Sequence, residues 1–232
     1  MARRAAMLFL LPLSVLPSFG RLSAQVGYDP AHSPYQDMQK GMGPVAFVGY
    51  LAGDRGTVGV GPSNGATFGV RWDVNLGGTV AFLVSFADAR TNRFIVDPTQ
   101  DSTVRKSGPV SNPVVLADVG LEVLLTGGKT YHHLAPYLQT ALGFAFGSST
   151  ARDTSGYDFG TKFTLAPGAG IRWYPSRRIC VQTDLRLLFW KLKYPLSYKV
   201  PASDSSRVLP VSAPDGDWTT HPWLTLGVGW TF

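Results

Sequence analysis

Three things are scarce in this chain of 232 residues: cysteine, charged residues and long apolar runs. The single cysteine, Cys180, cannot form an internal disulfide, which excludes a disulfide framework. Charged residues make up only 16% of the chain, and no basic run with interleaved aromatic residues occurs, which argues against nucleic-acid binding. Beyond the N-terminal segment, no apolar run reaches the roughly 20 residues that a membrane-spanning helix needs. The abundant turn formers, 26 glycines and 17 prolines, favour many strands and turns over helices.

The N-terminal segment predicts an export signal. A basic start and a mostly apolar stretch from Met7 to Leu16 are followed by small residues. This order is typical of a secretory signal peptide, which we place at residues 1–24. The alternative, a membrane anchor, is disfavoured because the apolar stretch is too short to span a bilayer. Residues 25–42 are polar and are expected to form an irregular periplasmic lead-in before the folded domain at 43–232.

The last nine residues carry the clearest pattern in the sequence. Apolar side chains occupy every second position, and only Thr and Gly lie between them. Successive side chains of a strand point to opposite faces, so the segment predicts a strand with one wholly apolar face and one small, polar face. The apolar positions are Leu224, Leu226, Val228, Trp230 and Phe232.

Seven further strand segments precede this one. The eight predicted strands are 43–52, 65–74, 79–87, 113–125, 134–147, 159–173, 179–192 and 218–232. Their connections alternate in length: the long ones are 53–64, 88–112, 148–158 and 193–217, and the short ones are 75–78, 126–133 and 174–178. Short turns at one end and long loops at the other are typical of a membrane barrel, whereas a β-sandwich gives no reason for them. The predicted fold class is therefore all-β, an eight-stranded antiparallel transmembrane up-and-down β-barrel.

The charged residues in the middle of the strands all fall on the face opposite the apolar stripe. They are Arg71, Asp73, Asp118, Glu122, Lys162, Arg172, Asp184 and Arg186. A Lys or Arg facing lipid at mid-depth costs about 2–4 kcal/mol, so these side chains are expected to point into the lumen. Side chains can fill an eight-stranded barrel, and buried charges must pair, so we predict a lumen plugged by a salt-bridge network. The alternative is the solvated face of a soluble sheet.

Aromatic residues on the apolar faces predict a girdle at each membrane interface. Three tryptophans would lie at the turn side and three phenylalanines near the opposite rim, because aromatic rings favour the membrane–water boundary. The predicted girdle is Trp72, Trp173, Trp230, Phe86, Phe146 and Phe189. Lys191 and Lys193 occupy the next two outward-facing positions at the end of the seventh strand. There they could reach anionic headgroups or lipopolysaccharide phosphates, or simply keep the loop soluble.

The closing strand, its terminal aromatic residue and the alternating loop lengths resemble the small eight-stranded outer-membrane β-barrel family of the OmpA and OmpX kind. The resemblance covers nearly the whole chain after residue 24. It implies a place in the cell outer membrane, contact with outer-membrane lipid and lipopolysaccharide, and insertion by the barrel-assembly machinery. In that family the terminal strand is the signal for this machinery. Here it would comprise Leu224, Leu226, Val228, Trp230 and Phe232.

Residues that carry chemistry are few. His132 and His133 lie in a predicted turn without further ligands at metal-binding spacing, and no Gly-x-Ser-x-Gly motif occurs. We therefore predict no enzymatic activity, cofactor or metal, and expect a structural or surface-interaction role with an unknown surface ligand. The alternatives are a narrow channel or carrier for small or apolar solutes, as in OmpW-type barrels, a lipid-modifying outer-membrane enzyme, and a soluble periplasmic β-protein.

Overall fold

The computed structural model describes residues 33–38, 43–147, 153, 155–176 and 178–230. The predicted signal peptide, most of the predicted lead-in and Phe232 lie outside the described residues. The strands are β1 Tyr35–Asp37, β2 Gly43–Leu51, β3 Ser63–Gly77, β4 Val80–Val96, β5 Lys106–Ser111, β6 Val114–Leu124, β7 Lys129–Tyr131, β8 Leu134–Gly147, β9 Thr161–Trp173, β10 Ile179–Lys191 and β11 Trp218–Trp230. A short 3₁₀ helix covers Leu196–Lys199. Within the described ranges, no helix is long and apolar enough to cross a membrane.

Eight of these strands close into a ring. They follow one another in the order β2, β3, β4, β6, β8, β9, β10 and β11, and β11 also pairs with β2. Each pairing in the ring is antiparallel. A closed sheet has no free edge, so its backbone groups can all pair within it, as a lipid environment requires. The predicted eight-stranded antiparallel up-and-down barrel is confirmed.

The two ends of the barrel differ, and we name them by their connections. The turn end carries the short connections β3–β4, β6–β8 and β9–β10, together with Gly43 and Trp230 at the outer ends of β2 and β11. The loop end carries the longer connections β2–β3, β4–β6, β8–β9 and β10–β11. This is the alternation that the sequence predicts.

The loop end rises further than the sequence predicts. The third predicted strand ends at residue 87, but β4 continues to Val96. β5 pairs with the residues of β4 that lie furthest from the turn end. The inward positions Ala89, Thr91 and Arg93 stay buried, while the outward Arg90 is exposed. The strand therefore continues after its outward face has become polar, and the loss of apolar alternation hides this continuation in the sequence.

The turn end contains a small additional ladder. The part of the predicted lead-in that is described includes β1, which pairs with β7. His132 and His133 join β7 to β8 as a two-residue hairpin, and both have positive φ angles, 48° and 65°. A two-residue hairpin of this kind needs positive φ at both positions. The histidine pair thus forms a tight turn, and no metal-binding cluster is found in the part of the chain that the structure describes.

Candidate functional site: the barrel lumen

Alternate residues of each barrel strand point into the lumen, and glycines there make room for large rings. A Cβ added at Gly170 would lie 2.4 Å from the ring of Tyr137. One added at Gly69 would lie 2.4 Å from the ring of Phe47. Both rings therefore occupy space that only glycine leaves free, and the lumen is filled by side chains fitted to one another.

The turn-end half of the lumen holds five charged side chains, which we call the turn-end cluster: Arg71, Asp73, Glu122, Arg172 and Asp184. Arg71, only 2% exposed, is its hub. Its Nε donates to Asp73 Oδ1 at 2.6 Å, and its Nη2 donates to Glu122 Oε2 at 2.5 Å. Its Nη1 lies 3.2 Å from Asp184 Oδ1. One guanidinium therefore bridges three carboxylates from three different strands.

Arg172 supplies the second cation of the cluster. Its Nη1 lies 2.6 Å from Glu122 Oε1, and its Nη2 donates to Glu122 Oε2 at 2.7 Å. The same Nη2 lies 3.0 Å from Asp73 Oδ2. This two-pronged contact matches the planar fork of arginine to a carboxylate. Glu122, fully buried, is held between two guanidiniums.

Uncharged side chains complete the environment of Asp184. Tyr137 Oη donates to Asp184 Oδ1 at 2.5 Å, and Gln139 Nε2 donates to the same oxygen at 2.6 Å. Gln182 Nε2 donates to Asp184 Oδ2 at 2.9 Å, and Gln182 Oε1 accepts a hydrogen bond from Arg172 Nε at 3.1 Å. The third carboxylate of the cluster is thereby compensated by neutral donors as well as by Arg71.

A second, smaller ionic contact lies apart from this cluster. Arg186 and Asp118, the loop-end pair, are joined by a single contact of 3.2 Å from Nη1 to Oδ1. The Arg186 guanidinium centre lies 4.1 Å from the ring centroid of Trp223, a cation–π contact. Nε and Nη2 of Arg186 find no hydrogen-bond partner among the described residues. This buried guanidinium is therefore far less well satisfied than Arg71.

Lys162 belongs to neither group. It is partly exposed near the loop end of β9, its Nζ lies 5.6 Å from the ring centroid of Phe159, and no carboxylate pairs with it in the described ranges. The single network expected from the sequence is thus two groups and one separate lysine. Lys162 stays apart because it is the second residue of β9, at the loop end of the barrel. From there its amine can reach the mouth of the lumen instead of the interior.

Aromatic rings fill the loop-end half of the lumen. Phe47 and Trp223 meet edge to face at 5.9 Å, and so do Phe159 and Trp190 at 5.5 Å. The ring of His221 stacks on Trp190 at 3.9 Å. Sequence reasoning did not single out these rings, although the inward parity of His221 and Trp223 on β11 is a signal that could have found them.

The buried apolar region continues from the lumen into the loops. Residues of the loop connections that join it are Val60, Tyr157, Leu192, Tyr194, Tyr198 and Leu209. A buried ion pair between Arg93 and Asp153 ties the β8–β9 loop to β4. The loops therefore form a packed cap over the loop end, which we call the loop cap.

Two aspartates bind the loops of this cap to each other. Asp217 accepts hydrogen bonds from Thr57 N at 2.8 Å, Thr57 Oγ1 at 2.7 Å and Tyr194 Oη at 2.6 Å. Burial alone would raise the pKa of Asp217, yet these hydrogen bonds lower it below its ordinary value. Asp204 accepts from Ser102 N at 2.8 Å. The β10–β11 loop thus holds both the β2–β3 loop and the β4–β6 loop.

The outer face of the ring is an apolar belt. Its side chains are about half exposed on the isolated chain; examples are Val70 at 54%, Leu142 at 49% and Leu185 at 54%. Leu224, Leu226 and Val228 of the closing strand lie on this face. A continuous exposed apolar surface of this kind is unfavourable in water and is what a bilayer accommodates.

Aromatic residues border the belt. Trp72, Trp173 and Trp230 are exposed toward the turn end, and Phe86 and Phe146 are exposed toward the loop end, with Phe189 partly exposed there. Beyond Phe86 the outward stripe of β4 becomes charged, with Arg90 Nε 3.5 Å from Asp88 Oδ2. This change marks the upper edge of the belt.

No protein-family model matches the chain, and no curated protein matches it in sequence. Several solved structures are similar in fold, among them two outer-membrane proteins. Neisserial surface protein A (NspA) has a TM-score of 0.54 and 11% identity, covering 82% of this chain and 97% of that chain. The outer membrane protein OprG from Pseudomonas aeruginosa has a TM-score of 0.52 and 12% identity, covering 84% of this chain and 98% of that chain. At such identities the likeness establishes the fold, and with the closed ring and its apolar belt it identifies an eight-stranded β-barrel of the outer-membrane type.

Proposed function

We propose that the protein is a non-conducting, non-catalytic barrel of the bacterial outer membrane, with a structural role and a rigid loop cap presented for surface interaction. The turn end would face the periplasm and the loop end the exterior. The observation that carries this proposal is the double filling of the lumen, by charges in one half and by apolar rings in the other. Solutes crossing the barrel would have to displace both.

The turn-end cluster supports a closed lumen because its members hold one another. Moving any of its side chains aside would leave buried charges without partners, at a cost of several kcal/mol. The cavity beside it, lined by Asp73, Arg172, Cys180 and Met38 among others, measures about 50 Å³. A cavity of this size holds no more than a few water molecules.

The loop cap supports a role in surface interaction. Its loops are tied together by the hydrogen bonds of Asp217 and Asp204, and they expose apolar side chains to solvent. These side chains, 58–74% exposed, are Val104, Leu196, Val200 and Val211. Apolar groups on rigid loops lose little entropy when a partner covers them. The proposed partners also include outer-membrane lipid and lipopolysaccharide around the belt, and the barrel-assembly machinery during insertion.

Planar-bilayer recording tests the closed lumen directly. We expect the purified, refolded protein to give no stable conductance, while an established porin in the same bilayers gives clear steps. Reproducible single-channel steps would overturn the proposal in favour of the narrow channel. Membrane fractionation and comparison of gel mobility in boiled and unboiled samples test the location and the folded barrel, because a closed barrel resists detergent.

A further inference from the structure

The outward stripe of β10 ends in two lysines above the apolar belt. After Phe189, every second residue is a lysine, Lys191 and then Lys193, and both are exposed. The strand pairing continues past the end of β10, because Leu192 N donates to Asp217 O at 2.9 Å. The two ammonium groups are therefore presented on the outer wall of the barrel, directly above the side chains that would face lipid.

A groove runs beside these lysines. It measures about 480 Å³ and is lined by Lys191, Lys193, Tyr194, Pro214, Asp215 and Gly216. Part of its wall is bare backbone, since a Cβ at Gly216 would lie 2.0 Å from Leu192 O. Trp218, the strand partner of Lys191, is 61% exposed beside it. An interfacial tryptophan next to two cations is suited to the boundary between acyl chains and headgroups.

The charge of the groove is not compensated by the protein. Neither Lys191 nor Lys193 forms a salt bridge within the described residues. Among the described residues that line the groove, the one carboxylate is Asp215, which lies 2.6 Å from Lys199 Nζ and is already paired. On β4, by contrast, the outward Arg90 has Asp88 beside it. The flank formed by β10 and β11 therefore carries positive charge that an external anion can balance.

We propose that Lys191 and Lys193 form a binding site for the phosphate groups of lipopolysaccharide in the outer leaflet. This inference rests on the proposed orientation, with the loop end outside. The lysines lie where the belt ends, and phosphorylated headgroups begin at that height. A Lys ammonium is a compact charge with three donors that binds phosphate well, and its flexible stem allows it to follow the headgroup.

The test compares K191Q/K193Q with K106Q/K129Q, which removes the same charge from two exposed lysines elsewhere. Binding of each folded protein, in a neutral detergent, is measured with lipopolysaccharide, the same lipopolysaccharide after removal of its phosphates, phosphatidylglycerol and inorganic phosphate. We expect K191Q/K193Q to bind intact lipopolysaccharide about 20- to 30-fold more weakly, from the usual contribution of a lysine near an anionic surface. The control should bind like the wild type, and the phosphate-free form should not discriminate between the variants.

Equal affinity of K191Q/K193Q and the wild type for intact lipopolysaccharide would overturn the site. Equally tight, lysine-dependent binding of phosphatidylglycerol or inorganic phosphate would overturn its assignment to lipopolysaccharide. Bilayer recordings on the same preparations keep the two proposals distinct, because a conducting wild type would contradict the closed lumen without changing the binding result.

Discussion

In the turn-end half of the lumen, two guanidiniums and three carboxylates share hydrogen bonds across strands that are not neighbours. In the loop-end half, rings and aliphatic side chains pack as they would in a soluble protein, around a single ion pair. Among the described residues, Arg71 in the turn-end half makes four hydrogen bonds to charged or amide groups, whereas Arg186 in the loop-end half makes one. Charged side chains that pair with one another fill the turn-end half, and closely packed apolar side chains fill the loop-end half.

The difference teaches how each half should respond to change. A group of shared charges is intolerant of losing any one member, because each loss leaves several others uncompensated. An apolar packing responds in proportion to the volume removed. The loop-end pair lies between these cases, since it is ionic but has few partners, and it offers the sharpest test of the comparison.

Arg71→Met is expected to have the largest effect, because Asp73, Glu122 and Asp184 all lose the same cation. Breaking a buried ion pair costs about 3–5 kcal/mol, and a hub of three should lie at the upper end, near 5 kcal/mol in the free energy of unfolding. Urea unfolding in lipid vesicles, followed by tryptophan fluorescence, measures it. The control is Arg90→Met, an exposed outer-wall arginine, with an expected loss below about 1 kcal/mol. A loss of similar size in both variants would remove the distinction.

The loop-end pair should behave differently when both partners are replaced. Arg186→Met alone leaves Asp118 buried without a cation and should cost about 4 kcal/mol. The double replacement R186M/D118L should return to within about 1 kcal/mol of the wild type, because apolar side chains can substitute for an isolated buried pair. The matched double replacement R172M/E122L should stay destabilised, since it strips Arg71 and Asp73 of partners. If both double variants recover alike, the two halves are not held in different ways.

The apolar half should show a cavity effect that depends on which way a side chain points. Leu188 is 2% exposed and points inward, while its neighbour Leu187 is 41% exposed on the belt. Leu188→Ala should cost about 3 kcal/mol through lost contacts and the space left behind. Leu187→Ala should cost about 1 kcal/mol, because lipid can fill the gap. Urea unfolding of the two variants decides this, and equal losses would argue against a packed loop-end core.

Most of the barrel can be read from alternation in the sequence. Strands with one lipid-facing side must repeat every two residues, so the predicted bounds of β2, β8 and β10 agree with the structure to within one residue. The prediction is wrong for the upper part of β4, because above the belt water replaces lipid and the outward face no longer needs to be apolar. Parity assigned Arg71 and Arg172 inward, but it could not tell which partners they meet.

Pairing inside the lumen depends on stagger and tilt, which alternation does not encode. Arg71 on β3 meets Asp184 on β10, although two strands, β2 and β11, lie between them around the ring. The loop-end packing cannot be predicted from the sequence for a related reason. Residues such as Tyr198 and Leu209 lie in a long connection without periodicity, and they are buried only once the loops fold over the barrel. Alternation identifies the charges that point into the lumen, and tertiary geometry decides which of them pair.

The smallest expected effect concerns the loop cap and its dependence on pH. Asp217 has a lowered pKa when folded, so its hydrogen bonds to Thr57 and Tyr194 contribute fully above its unfolded value of about 3.9. That contribution is lost as the pH falls through the lower folded pKa. Because Asp217 is partly exposed and screened by solvent, we expect about 1 kcal/mol.

Asp217→Asn should therefore reduce the hydrogen-exchange protection of the Thr57 amide at pH 7, and remove the further loss that the wild type shows on acidification below about pH 4. Protection factors corrected for intrinsic exchange measure both. Asp158→Asn is the control, since this exposed carboxylate accepts a hydrogen bond from only the local Gly160 amide, at 3.2 Å, among the described residues. Because the lumen charges lie beyond the loop-end core, their unfolding behaviour should be unchanged in Asp217→Asn. If Asp217→Asn weakened the barrel in parallel, the cap and the lumen would unfold as one cooperative unit. The stabilities of the cap and of the two halves of the lumen could then not be separated by experiment.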